Sequence, residues 1–188
     1  MIGALGTLYI TKEDKTYYLD GSGDVQTLTK MQESEISSTS GKGIYFWGGK
    51  LYIPCGDQAL LESDISLSTV VNTWRNPADY ATNLSDFAGR IFAGAGDSRW
   101  NYIVIDNSTK IEVLKGRLEN IDGSTSWVWH PCNEITLAGC EHAFVSNVYQ
   151  KRLWITSTLT TDSLYYIPLP TTYGNITADA NRSFKDGT

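Results

Sequence analysis

The chain has 188 residues, a formal net charge of −6 and 12% aromatic residues, with six Trp, eleven Tyr and 17 Gly. That length supports one sizeable core, and the acidic balance without any Lys/Arg run excludes a general nucleic-acid binder, which needs cations to displace phosphate counterions. No apolar run approaches the roughly 18–20 residues that cross a membrane as a helix, so no membrane insertion is expected, and three Cys give no secreted disulfide framework.

Met1 to Gly6 carries no basic segment and no long apolar core, so no signal peptide is expected. A short strand follows at Leu8-Tyr9-Ile10, then a polar turn ending at Asp14, a second strand at Thr16–Leu19 and a third at Val25–Leu28. Ile44-Tyr45-Phe46-Trp47, Gly48-Gly49 and Leu51-Tyr52-Ile53 form a two-residue hairpin pattern. Pro54-Cys55-Gly56-Asp57 is the next turn, followed by strands at Ala59–Glu62 and Ser68–Val71. Asp79–Thr82 fits a helical turn and nothing longer. Ile91-Phe92-Ala93, a turn at Gly94-Ala95-Gly96-Asp97, then Tyr102–Asp106 and Ile111–Leu114 repeat the order again. The last unit runs from Ala143–Val145 through Leu153-Trp154-Ile155 and a turn at Asp162 to Leu164–Ile167. Leu8, Leu51 and Ile91 are 43 and 40 residues apart, whereas Leu153 follows Ile91 by 62, a surplus placed between Arg117 and Cys140.

A strand, a polar turn with Asp and a second strand, recurring at roughly 40 residues, is a blade-type period. Over residues 5–170 the pattern resembles β-propeller repeat proteins. The expected fold is therefore all-β, a β-propeller-like array of about four four-stranded antiparallel blades, complete or incomplete, with a β-sandwich as the alternative. Residues 1–170 hold the blades, and 171–188 are a polar tail or the start of a further blade. Ile121-Asp122-Gly123-Ser124-Thr125-Ser126-Trp127 is similar to the Asp-box turn of sialidase-like propellers, with Ser124 where that turn has Gly.

Three sets of side chains are candidate sites. His130, Cys132, Cys140 and His142 lie symmetrically about residue 136; a hairpin pairing 132 with 140 would gather all four on one face, as two Cys and two His gather at zinc. Zinc, a Cys132–Cys140 disulfide, and buried Cys with partly exposed His all remain open. Asp14, Asp57 and Asp97 occupy equivalent turns. They either ring one face, to hold a cation or sugar hydroxyls, or cap their own turns. Trp74, Trp100 and Trp127 stand beside polar loops and are the Trp residues expected to be exposed, available to a sugar or a partner; the competing reading is core packing. The four Asn-x-Ser/Thr sequons, starting at Asn83, Asn107, Asn175 and Asn181, are read as coincidence in a Ser/Thr-rich chain.

No catalytic constellation is legible. There is no Gly-x-Ser-x-Gly elbow and no phosphate loop, and Cys140 with His142 lacks an orienting acid. The Ser/Thr/Gly/Tyr-rich repeats without an export signal resemble bacteriophage tail and virion propellers. The resemblance implies a non-enzymatic structural or binding module in a virion or at an extracellular surface. Its partners would be protein subunits of the same assembly, a surface glycan, or further copies of itself. A glycan-active hydrolase, with a pair such as Asp57 and Asp97, is the alternative; a bacterial adhesion or scaffold module is the third. No cofactor is expected apart from the zinc candidate.

Overall fold

The computed structural model of the protein describes residues 1–13, 15–19, 21–28, 41–55, 59–64, 70–74, 76, 84–87, 89–136, 140–146, 151–157 and 163–169. Asp14, Asp57, the helical turn expected at 79–82 and the segment 171–188 lie outside them. Among the described residues there are fifteen strands and one 3-10 turn at Leu84–Asp86. The first sheet contains β1 (Ile2–Ala4), β2 (Thr7–Thr11), β3 (Thr16–Leu19) and β4 (Val25–Leu28). The second contains β5 (Tyr45–Trp47), β6 (Lys50–Cys55), β7 (Ala59–Ser63) and β8 (Val70–Asn72). The third contains β9 (Arg90–Gly96), β10 (Asn101–Asp106), β11 (Ile111–Ile121) and β12 (Ser124–Ile135). The fourth has three described strands, β13 (Cys140–Ser146), β14 (Arg152–Ser157) and β15 (Ser163–Pro168). Each is an antiparallel meander in chain order, and none closes into a barrel. The fold is all-β, in four sheets rather than the two of a sandwich.

Turn chemistry explains the hairpins. Leu5-Gly6, Gly48-Gly49 and Asp122-Gly123 each join two strands by two residues of positive φ, between 50° and 83°. That is the type I′ geometry whose twist matches the flanking strands. Longer turns use a side-chain acceptor: Asn107 Oδ1 accepts from the N–H groups of Thr109 and Lys110, and Asp97 Oδ1 does the same for Arg99 and Trp100.

The sheets stack in a row. Alternate residues face opposite ways, so each sheet has two faces, and three apolar clusters fill the three gaps. Tyr9 from the first sheet meets Leu51, Ile53 and Leu61 of the second. Tyr52, Leu60 and Trp74 of the second meet Ile103, Leu114, Trp127 and Trp129 of the third. Tyr102, Val104 and Val113 of the third meet Leu153, Ile155 and Ile167 of the fourth. Each fully buried large side chain contributes roughly 1.5–3 kcal/mol. The first strands are also neighbours, β1 beside β5, β5 beside β9 and β9 beside β13, an order compatible with a propeller-like array.

Three local expectations need correction. Gly94-Ala95-Gly96 is the end of strand β9, not a turn. A Cβ at Gly94 would meet the Tyr45 ring and one at Gly96 the Trp47 ring, so these glycines let two aromatic rings lie against the backbone of β9. Consequently Ile91 lies on a first strand, whereas Leu8, Leu51 and Leu153 lie on second strands of their sheets. The surplus is not a separate insertion either: part of it is the step from Ile91 on the first strand β9 to the second strand β10, and the rest lies in the long β11–β12 hairpin turned by Asp122-Gly123.

Candidate functional site

The long β11–β12 hairpin carries a group of charged side chains. Its type I′ turn pairs Ile121 with Ser124, and the register then sets Lys115 opposite His130. Lys115, Arg117 and Glu119 alternate along β11 and therefore share one face. Against that face lies Trp100, brought there by the Asp97 turn. The Arg117 guanidinium sits 4.2 Å and the Lys115 ammonium 5.2 Å from the Trp100 ring centre, and the His130 ring meets it edge-on at 5.8 Å. Glu119 Oε1 accepts from Arg117 Nε at 2.8 Å and lies 3.3 Å from His130 Nε2. Partial burial alone would raise the Glu119 carboxyl, but the bonds from Arg117 and His130 outweigh it and hold Glu119 below the ordinary carboxylate range.

Asp97 forms a second node. Its side chain is only 2% exposed and is paired with Lys151 Nζ from the segment entering β14. Asp97 Oδ2 also accepts from Tyr102 Oη at 3.0 Å, while Oδ1 closes the turn. Burial pushes the Asp97 carboxyl up; the Lys151 bond and the two backbone N–H groups overcome that and pull it below its usual value. The Tyr102 hydroxyl is pushed up by burial and by the neighbouring Asp97 charge. Buried Glu62, paired with Lys50, accepts from Tyr52 Oη at 3.1 Å.

The expected exposed Trp set is overturned. Trp74, Trp100 and Trp127 are all buried. Trp127 stacks on Trp129 at 5.3 Å and meets Tyr52 edge-on; Trp74 packs on Trp129; Trp100 is covered by Arg117 and Lys115. Polar loops flank these rings in sequence, but side chains of their own and of facing sheets cover them in space, so none offers a bare ring face to a sugar. Asp97 serves as a turn cap and an inter-sheet ion-pair partner.

The hairpin that was to gather His130, Cys132, Cys140 and His142 is not formed. β12 pairs with β11, and β13 pairs with β14, with Cys140 opposite Ser157. Cys132 falls at a bulge in β12 and lies in the apolar cluster with Tyr102 and Val113, while His130 faces Trp100 and Glu119. The side chains of Cys140 and His142 lie outside the described residues. Among the described residues, no three His, Cys, Asp or Glu side chains are grouped as metal ligands.

The Arg117–Glu119 pair and Lys151 were missed from sequence. Counting back from Asp122-Gly123 as a type I′ turn would have placed Lys115 opposite His130 and put Arg117 and Glu119 on the same face. Nothing local could have paired Asp97 with Lys151, which come from different sheets. No protein-family model and no curated protein matches the chain.

Proposed function

We propose that this chain is a non-enzymatic structural or binding module, propeller-like in construction, that works in a larger assembly of the phage virion or tail kind or at a similar extracellular surface. Its partners are protein subunits of that assembly. The observation that supports this reading is the use made of the carboxylates. Asp97 and Glu119 are both held below the ordinary carboxylate range by cations and hydrogen bonds; Asp97 ties the β9–β10 turn to Lys151, and Glu119, paired with Arg117 on its own strand, reaches His130 on β12. The proton donor of a glycoside hydrolase is a carboxyl raised so that it carries a proton near neutral pH; neither Asp97 nor Glu119 is held that way, and Asp57, the other member of the expected pair, lies outside the described residues. The rings that could have formed a glycan platform are likewise committed to inter-sheet packing.

The reading is tested by incubating the protein with a panel of bacterial surface polysaccharides and measuring reducing ends. The expected result is no release above buffer, with Asp97→Asn and Glu119→Gln changing only thermal stability. Sugar release by the wild type that vanishes in a folded Glu119→Gln or Asp97→Asn protein would establish the hydrolase instead.

A further inference from the structure

Four sheets in a row have three internal gaps and two outer faces, and both outer faces are apolar. On the first sheet, Tyr9 and Tyr18 turn toward the second sheet, so Leu8, Ile10, Tyr17, Leu19 and Val25 face away by strand alternation. Ile10 is 36% and Val25 66% exposed. On the fourth sheet, Leu153, Ile155 and Ile167 turn inward, which leaves Trp154, Leu164 and Tyr166 outside. Trp154 and Tyr166 are cross-strand partners with rings 5.2 Å apart, and Arg152 lies 4.0 Å over the Tyr166 ring. Leu164 is 55% and Tyr166 48% exposed. If the first and fourth sheets met within one chain, these side chains would be covered as their inward neighbours are.

We propose that the outer face of the first sheet in one copy seats on the outer face of the fourth sheet in a second copy, and reciprocally, so that two chains form one ring of eight sheets. This rests on the reading of the chain as an assembly module. The contact continues the face-to-face packing already used three times in this chain, with aromatic and aliphatic side chains on both sides. Twice four sheets gives eight, inside the range of about four to eight over which radial β arrays close. The area is also adequate: with strands about 4.8 Å apart and a rise of about 3.4 Å, each face covers roughly 300 Å², so two faces commit roughly 600 Å² per copy, near the roughly 800 Å² of a standard interface. Because each face meets a different face, the pairing is head-to-tail and closes through its two-fold repetition.

Charge does not draw the faces together. Lys12 lies over Tyr17 on one face and Arg152 over Tyr166 on the other, and each copy carries a net charge of −6. Apolar burial is the driving force, so salt should strengthen association by screening the repulsion.

Light scattering after size exclusion, over a concentration series, reads the state of the intact chain. The expected mass is twice 20.8 kDa, with a dissociation constant that falls as salt rises. Ile10→Glu and Tyr166→Glu should each weaken association about tenfold or more, while Leu118→Glu, an exposed apolar site on β11 away from both faces, should not. Mixing the Ile10→Glu and Tyr166→Glu proteins should restore dimers, because a mixed pair has one interface free of both substitutions. Circular dichroism and the thermal transition check folding, and the milder Val25→Ser and Leu164→Ser replace any variant that does not fold. A monomer at all concentrations overturns the proposal, as does a dimer broken by Tyr166→Glu alone, which would be fourth sheet on fourth sheet. Neither result bears on the polysaccharide assay, which tests the module reading separately.

Discussion

Replacing Asp97 by Asn removes one charge from a site that holds two. The Asn side-chain oxygen can still accept the N–H groups of Arg99 and Trp100, so the turn survives. What is lost is the counter-charge of Lys151, whose side chain is itself only 16% exposed. Breaking a buried ion pair from one side costs about 3–5 kcal/mol, because the remaining ion keeps its desolvation penalty. With Lys151 still partly wet, the lower end, about 3 kcal/mol, is expected for Asp97→Asn. For a chain of this length that corresponds to a melting temperature lower by about 6–12 °C. Lys151→Met should cost less, about 1–3 kcal/mol, because Asp97 keeps three hydrogen-bond donors when Lys151 is gone. Urea unfolding of both single variants and the double variant gives the coupling directly. A coupling of at least about 1 kcal/mol is expected; strictly additive losses would refute an ion pair that ties the β9–β10 turn to the fourth sheet. The pH dependence has a definite sign. The folded Asp97 carboxyl titrates below its unfolded value, so its contribution is present above about pH 4 and is lost as the pH falls through the folded value. The stability gap between wild type and Asp97→Asn should therefore shrink below about pH 4.

Other sites give sharp outcomes. Gly96→Ala would place a Cβ against the Trp47 ring, and overpacking there should cost about 1–3 kcal/mol in chemical denaturation. Gly123→Ala, at φ 83° in the β11–β12 turn, should cost about 1–2 kcal/mol through the strained left-handed conformation, measured the same way. Trp129→Ala removes a fully buried ring from the cluster between the second and third sheets and should destabilise by about 3–5 kcal/mol, read as a shifted unfolding midpoint.

Local patterns in the sequence were legible where local chemistry decides the structure. Gly48-Gly49 between Trp47 and Lys50 gave its hairpin because two consecutive positive-φ residues leave few other conformations. The short apolar runs at Leu51–Ile53, Tyr102–Ile105 and Leu153–Ile155 became strands for the same kind of reason. Gly94 and Gly96 misled because their role depends on Tyr45 and Trp47, some fifty residues away. Asp122-Gly123 was on the page as a hairpin turn, but the resemblance to an Asp-box hid it. Trp74 and Trp127 could not be assigned from their neighbours, since they pack in a cluster shared by two sheets, and Trp100 is covered by Lys115 and Arg117 only once β11 folds back beside it. The Asp97–Lys151 pair is of the same long-range kind.

The contact between the first sheet of one copy and the fourth sheet of another is tested most directly by amide hydrogen exchange at high and low protein concentration. Concentrating the protein should slow exchange in Thr7–Thr11 and Ser163–Pro168 together, with Ile111–Ile121 unchanged. Exchange that is independent of concentration in both segments, or slowed in only one of them, would contradict it.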